Sequence, residues 1–253
     1  FELSRVTRFE KIPTEIFETE KGGSVHIAHE IASLIKEKNE RNEKCILGLT
    51  NGKSTLGIYH ELVRLHHKEQ LSFKNVVVFL LFEYYPLSNS THGCFVQMKE
   101  MFFDKVDIFP ENIYAPDGMI DKSNIIEFCK SYENKITALG GIDLQILGIG
   151  RSGNIAFNEP GSQANASTRL ILLDNISRKD AAELFGNVES VPISSITMGV
   201  GTILKSKRII LAAWGEHKSS VIKSAVEGSV SDSIPASYLQ LYSNVKLVIY
   251  LNA

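Results

Sequence analysis

Short, uninterrupted apolar runs alternate along this chain with segments whose apolar residues recur every three to four positions. The runs cover residues 45–50, 76–82, 143–147, 208–214 and 245–251. A strand with one face in water alternates apolar and polar side chains, so a run with no polar face is buried on both sides. Residues 24–38 carry Val25, Ala28, Ile31, Ala32, Leu34 and Ile35, which is helical spacing, with Ser24 as the expected N-cap. Helices are predicted from the Asn51-Gly52-Lys53-Ser54 turn to about His66, and over 92–103, 123–138 and 218–226, with a further strand at 169–173. Strands that take turns with helices predict an α/β fold: a doubly wound, largely parallel sheet with helices on both faces, Rossmann-like. No linker or internal repeat divides the chain, so a single domain over 1–253 is expected.

With 253 residues, 43% of them hydrophobic, the chain can fill a sizeable core. Its formal net charge of -2 provides no basic field for nucleic acid or a membrane surface, so neither is an expected partner. The Lys205-Ser206-Lys207-Arg208 stretch is expected to be solvated loop charge. No run approaches the ~18 apolar residues of a membrane span. Cys45, Cys94 and Cys129 are an odd number without a CxxC pair. That argues against a disulfide framework or a metal site and for a reducing, cytoplasmic setting, with Cys45 in the core. No metal and no cofactor are implied. No signal peptide is evident, and the start at Phe1 and stop at Ala253 suggest a piece of a longer protein.

Three glycine-bearing loops leave the carboxyl ends of predicted strands, the edge where open α/β sheets hold ligands. Thr50-Asn51-Gly52-Lys53-Ser54-Thr55 opens a helix, and backbone N–H groups at such a start suit a phosphate, with Lys53 adding charge. The alternative is an ordinary turn with a Ser cap, and the spacing is not that of a P-loop. Gly148, Gly150 and Gly153 match GxGxxG, and Asp174 follows about 20 residues on, the dinucleotide fingerprint. Pro160-Gly161 would break the helix that this fingerprint requires. Trp214-Gly215-Glu216-His217-Lys218 is the third, and Lys218 can reach an anion at the first loop or stand in solvent.

Together these motifs resemble one family. Leu47–Ser54, Glu83-Tyr84-Tyr85-Pro86-Leu87, the 148–162 loop with Phe157-Asn158-Glu159-Pro160, Thr197–Thr202, Gly215–Lys218 and the 226–240 segment look like a glucosamine-6-phosphate deaminase, of the fold shared with 6-phosphogluconolactonase. The resemblance runs from about residue 8 to the end, and some bacterial members with a similar stretch carry a further, deacetylase-like domain after it. It implies an amino-sugar phosphate substrate and a reaction joining aldose–ketose isomerisation to hydrolytic loss of ammonia. It also implies a possible homo-oligomer or a fused second domain as partner. The phosphate cradle would be Asn51, Gly52, Lys53, Ser54 and Lys218, with Gly150 close to the ligand and Arg169 retained beside the site.

The chain departs from the family where protons move. The family's Asp-Glu-Tyr is here Phe82-Glu83-Tyr84, and that Asp is the base working between C2 and C1. The family's Asp-Gly-His is Ser152-Gly153-Asn154, so the ring-opening His is an amide that cannot titrate. Glu159, the His partner, is kept; Tyr250 stands for an Asp; Glu183 stands for an Arg that contacts the sugar. Glu159, Asn154 and Glu83 are therefore the candidate catalytic groups, and His92, near the lid-like Ser88-Asn89-Ser90-Thr91, is a further one. Losing a positioned acid or base costs ~10²–10⁴-fold. A degenerate deaminase that keeps a sugar-phosphate site is the favoured expectation. The alternatives are a working deaminase with relocated groups, a non-catalytic assembly or regulatory module, and a nucleotide-binding oxidoreductase.

Overall fold

The structure is a computed structural model that describes residues 9–88 and 91–250. In chain order it contains β1 (Thr14–Phe17), α1 (Glu20–Glu40), β2 (Cys45–Leu49), α2 (Leu56–Glu69), β3 (Val76–Leu80), β4 (Phe82–Tyr85), α3 (Cys94–Met101), β5 (Ile113–Tyr114) and α4 (Ile125–Ala138). There follow β6 (Leu144–Leu147), β7 (Arg169–Leu172), α5 (Asn175–Phe185), β8 (Ser194–Thr197), α6 (Val200–Leu204), β9 (Ile209–Ala212), α7 (Ser219–Glu227) and β10 (Val245–Tyr250). Short 3-10 turns join them, among them Glu216–Lys218 and Pro235–Leu241.

A seven-stranded parallel sheet runs β1-β10-β9-β6-β2-β3-β5, as the unbroken apolar runs require. Alternate side chains of one strand serve different layers. Cys45, Leu47 and Leu49 pack with α1 and α2 through Ile31, Ile58 and Leu62. Ile46, Val77 and Phe79 face the other way, onto Tyr132 and Ile136 of α4 and Ile222 of α7. The chain moves from β2 outward to β3 and β5, then returns to β6 and goes outward to β9 and β10. The switch point between β2 and β6 opens a crevice at the strands' carboxyl ends, where ligands of such folds bind.

Local rules moved several boundaries. Helix α1 starts before Ser24: Thr19 is the N-cap, accepting from the Gly22 N–H at 3.0 Å, and Ser24 is buried inside the helix. The helix after the first loop starts at Leu56, and the third-loop helix only at Ser219 after a 3-10 turn. Helix α3 covers Cys94–Met101, with a 3-10 turn at Phe103–Lys105. The run at 76–82 is not one strand. It breaks at Leu81, whose N–H donates to Leu49 and whose carbonyl accepts from Met198, and Phe82 enters a separate three-stranded antiparallel sheet, β4-β8-β7. Strands β1, β5 and β8 and helix α5 are additions to the predicted elements. The last strand is described to Tyr250; Leu251, like Asn89 and Ser90 of the lid-like segment, lies outside the described residues.

All three cysteines are free and buried. Lys207 and Arg208 are exposed, as expected, and from the surface they pair with Asp143 at 2.7 Å and Glu30 at 2.7 Å. Among the described residues no helix is long and apolar enough to cross a membrane.

Candidate active site

Loops following β2, β6 and β9, adjacent strands in the sheet, form the candidate site. The first is locked from below. Tyr59 Oη donates to the Thr50 carbonyl at 2.5 Å, and Thr55 Oγ1 donates to the same carbonyl at 3.0 Å. Trp214 Nε1 donates to the Ser54 carbonyl at 2.7 Å, tying the third loop to the first. Gly52 has φ +147, a conformation L side chains rarely adopt, and an added Cβ would meet nothing within 4 Å. Backbone conformation, not crowding, therefore calls for glycine here. Among the described residues no hydrogen bond uses the N–H of Gly52, Lys53 or Ser54. Lys218 Nζ reaches Ser54 Oγ at 3.3 Å, and burial pulls its pKa down. Open backbone donors with a partly desolvated ammonium make an anion cradle.

Lys53 does not fill that cradle. It extends into solvent, its side chain 92% exposed, and pairs with Glu183 of α5 at 2.9 Å. Arg151 pairs with Asp180 of the same helix. Two exposed ion pairs thus tie α5 to the first and second loops.

In the second loop, Gly148, Gly150 and Gly153 lead into turns rather than a helix, and Asp174 is the N-cap of α5, accepting from Ser177 N–H at 2.6 Å. The helix that the dinucleotide fingerprint requires does not form after Gly153. The Asn154 amide folds over Gly150, where a Cβ would lie 1.9 Å from Oδ1. Asn154 Oδ1 accepts from Ser152 Oγ at 2.8 Å and Nδ2 donates to the Ala156 carbonyl at 2.9 Å. Gly150 N–H is also taken, by the Asn154 carbonyl at 3.0 Å. Asn154 and Gly150, expected to face the ligand, hold the loop's own shape. Glu159 is different: half-buried, it leaves Oε1 without a hydrogen bond, and Oε2 lies 3.5 Å from Ser152 Oγ. Burial first, and then the nearby Asp174 charge, push its carboxyl up to about 7. Asn158 is buried, donating to Ile155 and Met198 carbonyls and accepting from Arg169 at 2.9 Å. Arg169 also donates to Ser162 Oγ at 3.1 Å.

Between the loops stands Phe82. Its ring lies 4.2 Å from that of Phe157, centroid to centroid, and it lines one narrow crevice with Thr50 and Asn51. Phe157 is fixed by its N–H, which donates to Thr197 Oγ1 at 3.1 Å. Glu83, next to Phe82, points elsewhere because β4 is regular and neighbouring side chains take opposite faces. Its carboxylate accepts the N–H groups of Tyr84 at 2.9 Å, Cys94 at 2.8 Å and Phe95 at 3.0 Å. It anchors the amino end of α3 although burial raises its pKa. His92 is exposed, its ring 5.5 Å from Phe185. Tyr250 lies at the end of β10, 6.3 Å from Trp214. Arg178 bonds the Val188 and Val191 carbonyls. The contribution of Asp174, Ser177 and Asp180 was not anticipated; Asp174 before a helical segment is the capping signal that locates α5.

A parallel α/β sheet thus brings a glycine cradle at its switch point, a second loop carrying Phe-Asn-Glu-Pro and a lysine-bearing third loop to one edge. Over residues 18–248 the chain matches the family of glucosamine-6-phosphate isomerases and 6-phosphogluconolactonases, and it belongs to that family. It is 54% identical over 254 residues to a glucosamine-6-phosphate deaminase-like protein of Bacteroides thetaiotaomicron, covering all of this chain and 38% of that protein. The chain thus spans well under half the length of that relative. It is 41% identical over 219 residues to a glucosamine-6-phosphate deaminase of Clostridium acetobutylicum, covering 86% of this chain and 90% of that one. The solved structure of a monomeric glucosamine-6-phosphate deaminase superposes with a TM-score of 0.90 at 35% identity, over 95% of this chain and 98% of that chain.

Proposed function

We propose that this chain is a sugar-phosphate-binding member of the deaminase family that has given up most or all of the proton transfer that deamination needs. One observation carries the reading: Phe82, packed on Phe157 at 4.2 Å, occupies the place between the cradle and the glycine loop where the family resemblance puts the proton-moving carboxylate. A phenyl ring has no proton to give or take. The neighbouring carboxylate cannot stand in, since Glu83 is bound to three backbone N–H groups. The ring-opening position is an amide spent on its own loop. The cradle, by contrast, keeps open N–H groups, Ser54 and Lys218. A phosphate would sit against those donors, with Arg169 and Lys218 adding charge.

A second reading has one observation behind it. Glu159 is raised to about 7, the range of a general acid–base group, so slow turnover through Glu159 alone is the alternative. Assembly with copies of itself, or with a further domain of the same polypeptide, belongs to the proposal as well and is tested by light scattering of the natural full-length chain.

Titration calorimetry with glucosamine 6-phosphate, run beside an ammonia assay, tests the reading. A saturable isotherm without ammonia release is expected. Ammonia release at rates typical of the relatives overturns it, and loss of that release in Glu159→Gln would place the chemistry on Glu159.

A further inference from the structure

The charges around the mouth are unevenly free. Most carboxylates that reach this region among the described residues are already committed, and Glu20 and Asp180 bear on Lys218 only as nearby charges. Glu183 is paired with Lys53 at 2.9 Å and Asp180 with Arg151. Asp174 caps α5 through the Ser177 N–H at 2.6 Å, and Glu83 is turned onto the amino end of α3. Glu159 is pushed by burial toward its neutral form, to about 7. The cations are not so committed. Among the described residues Lys218 has only Ser54 Oγ within hydrogen-bond distance, and Arg169 spends its donors on Asn158, Ser162 and the Ser167 carbonyl, with no carboxylate partner. The Phe82–Phe157 pair beside the first loop is apolar, with Phe82 half-buried and Phe157 buried beneath it.

Such a site treats the two ends of an amino-sugar phosphate differently. The phosphate gains unpaired cations and N–H donors. An ammonium on the same small molecule enters a field already positive, and like charges brought together in a partly desolvated site are unfavourable. A phenylalanine face returns only a weak cation–π attraction. The apolar face of a sugar ring, or an acyl methyl group, loses nothing against Phe82.

We propose that this site selects phosphorylated sugars that carry no free amine, taking an uncharged hydroxyl or acylated nitrogen in preference to an ammonium. The inference rests on the reading of the site as a sugar-phosphate cradle, and it makes Phe82 a specificity-determining residue.

The test is calorimetry at pH 6.0, below the Glu159 value of about 7, with a matched set: glucosamine 6-phosphate, its N-acetylated form, glucose 6-phosphate and inorganic phosphate. Acetylation removes the charge and keeps the skeleton. The expected result is binding of the acetylated sugar or of glucose 6-phosphate about tenfold tighter than the amine, a difference the ~1.4 kcal/mol per decade rule makes easy to resolve. Phe82→Asp should reverse the order. Phe82→Leu, which keeps the floor apolar at lower folding risk, should preserve it. Equal or tighter binding of the amine, with proton release as Glu159 ionises to meet it, overturns the inference while leaving the cradle reading intact. Failure of every phosphorylated sugar and of inorganic phosphate to bind overturns both, whereas ammonia release at rates typical of the relatives overturns the inference and leaves the cradle standing.

Discussion

Phe82 and Glu159 carry opposite lessons about single positions. Phe82 removes a titratable group and puts a ring in its place, and restoring chemistry requires more than one change because the paired amide at Asn154 is also inert. The triple change Phe82→Asp, Ser152→Asp, Asn154→His is expected to raise ammonia release from glucosamine 6-phosphate above the unaltered chain, measured by a coupled assay. Phe82→Asp alone should cost about 2–3 kcal/mol of stability, from the lost ring packing and an unpartnered carboxylate. Glu159 keeps its proton in the fold more tightly than in the unfolded chain. Its stabilising contribution is therefore complete below the unfolded value of about 4.5 and is lost as pH rises through about 7. Glu159→Gln should melt much like the unaltered protein at pH 5 and at a higher temperature than it at pH 8. A melting difference that shrinks with rising pH would contradict the assigned environment. Lys218 lies on the other side of the ledger: a partly buried ammonium with lowered pKa is held at a cost to the empty fold. Lys218→Met is expected to leave the melting point of the empty protein unchanged or higher and to abolish the rise that phosphate or a sugar phosphate produces, as differential scanning fluorimetry would show.

At the scale of elements, α5 and α3 are each held at their amino ends by one acidic side chain. Asp174 caps α5, and Asp174→Ala should cost about 1 kcal/mol, a fall of roughly 2–4 °C in melting temperature for a chain of this size. Because Asp174 also faces Glu159, the same change should lower the Glu159 pKa, visible as a melting curve less sensitive to pH between 5 and 8. Glu83 holds α3 through three N–H groups. Glu83→Ala leaves those donors buried without partners, an expected loss of several kcal/mol and faster proteolysis around residues 88–94, whereas a catalytic role would spare stability and remove activity. In the sequence Glu83 reads as a candidate catalytic group, and strand alternation alone could not say which of Phe82 and Glu83 looks into the site. The register of β4 against β8 decides that, and β8, Ser194–Thr197, is too polar and too short to be read as a buried strand.

For the whole molecule, much of the layout was written in the chain. Apolar runs without a polar face demand a sheet covered on both sides, and that demand alone predicted the parallel sheet, its helical layers and the clustering of three loops at one edge. The family motifs located the cradle and the substituted positions, since those are statements about residue identity. What the sequence could not determine was where polar side chains spend their hydrogen bonds. Lys53 turned outward to Glu183, 130 residues along the chain, while Asn154 turned inward onto its own loop and Glu83 onto the amino end of α3, choices that periodicity does not encode. Periodicity is a local property and survives in one dimension. Hydrogen-bond partnership, desolvation and the balance of free charge at a site exist only once distant loops meet, and in this protein they alone decide which charges remain free to meet a ligand.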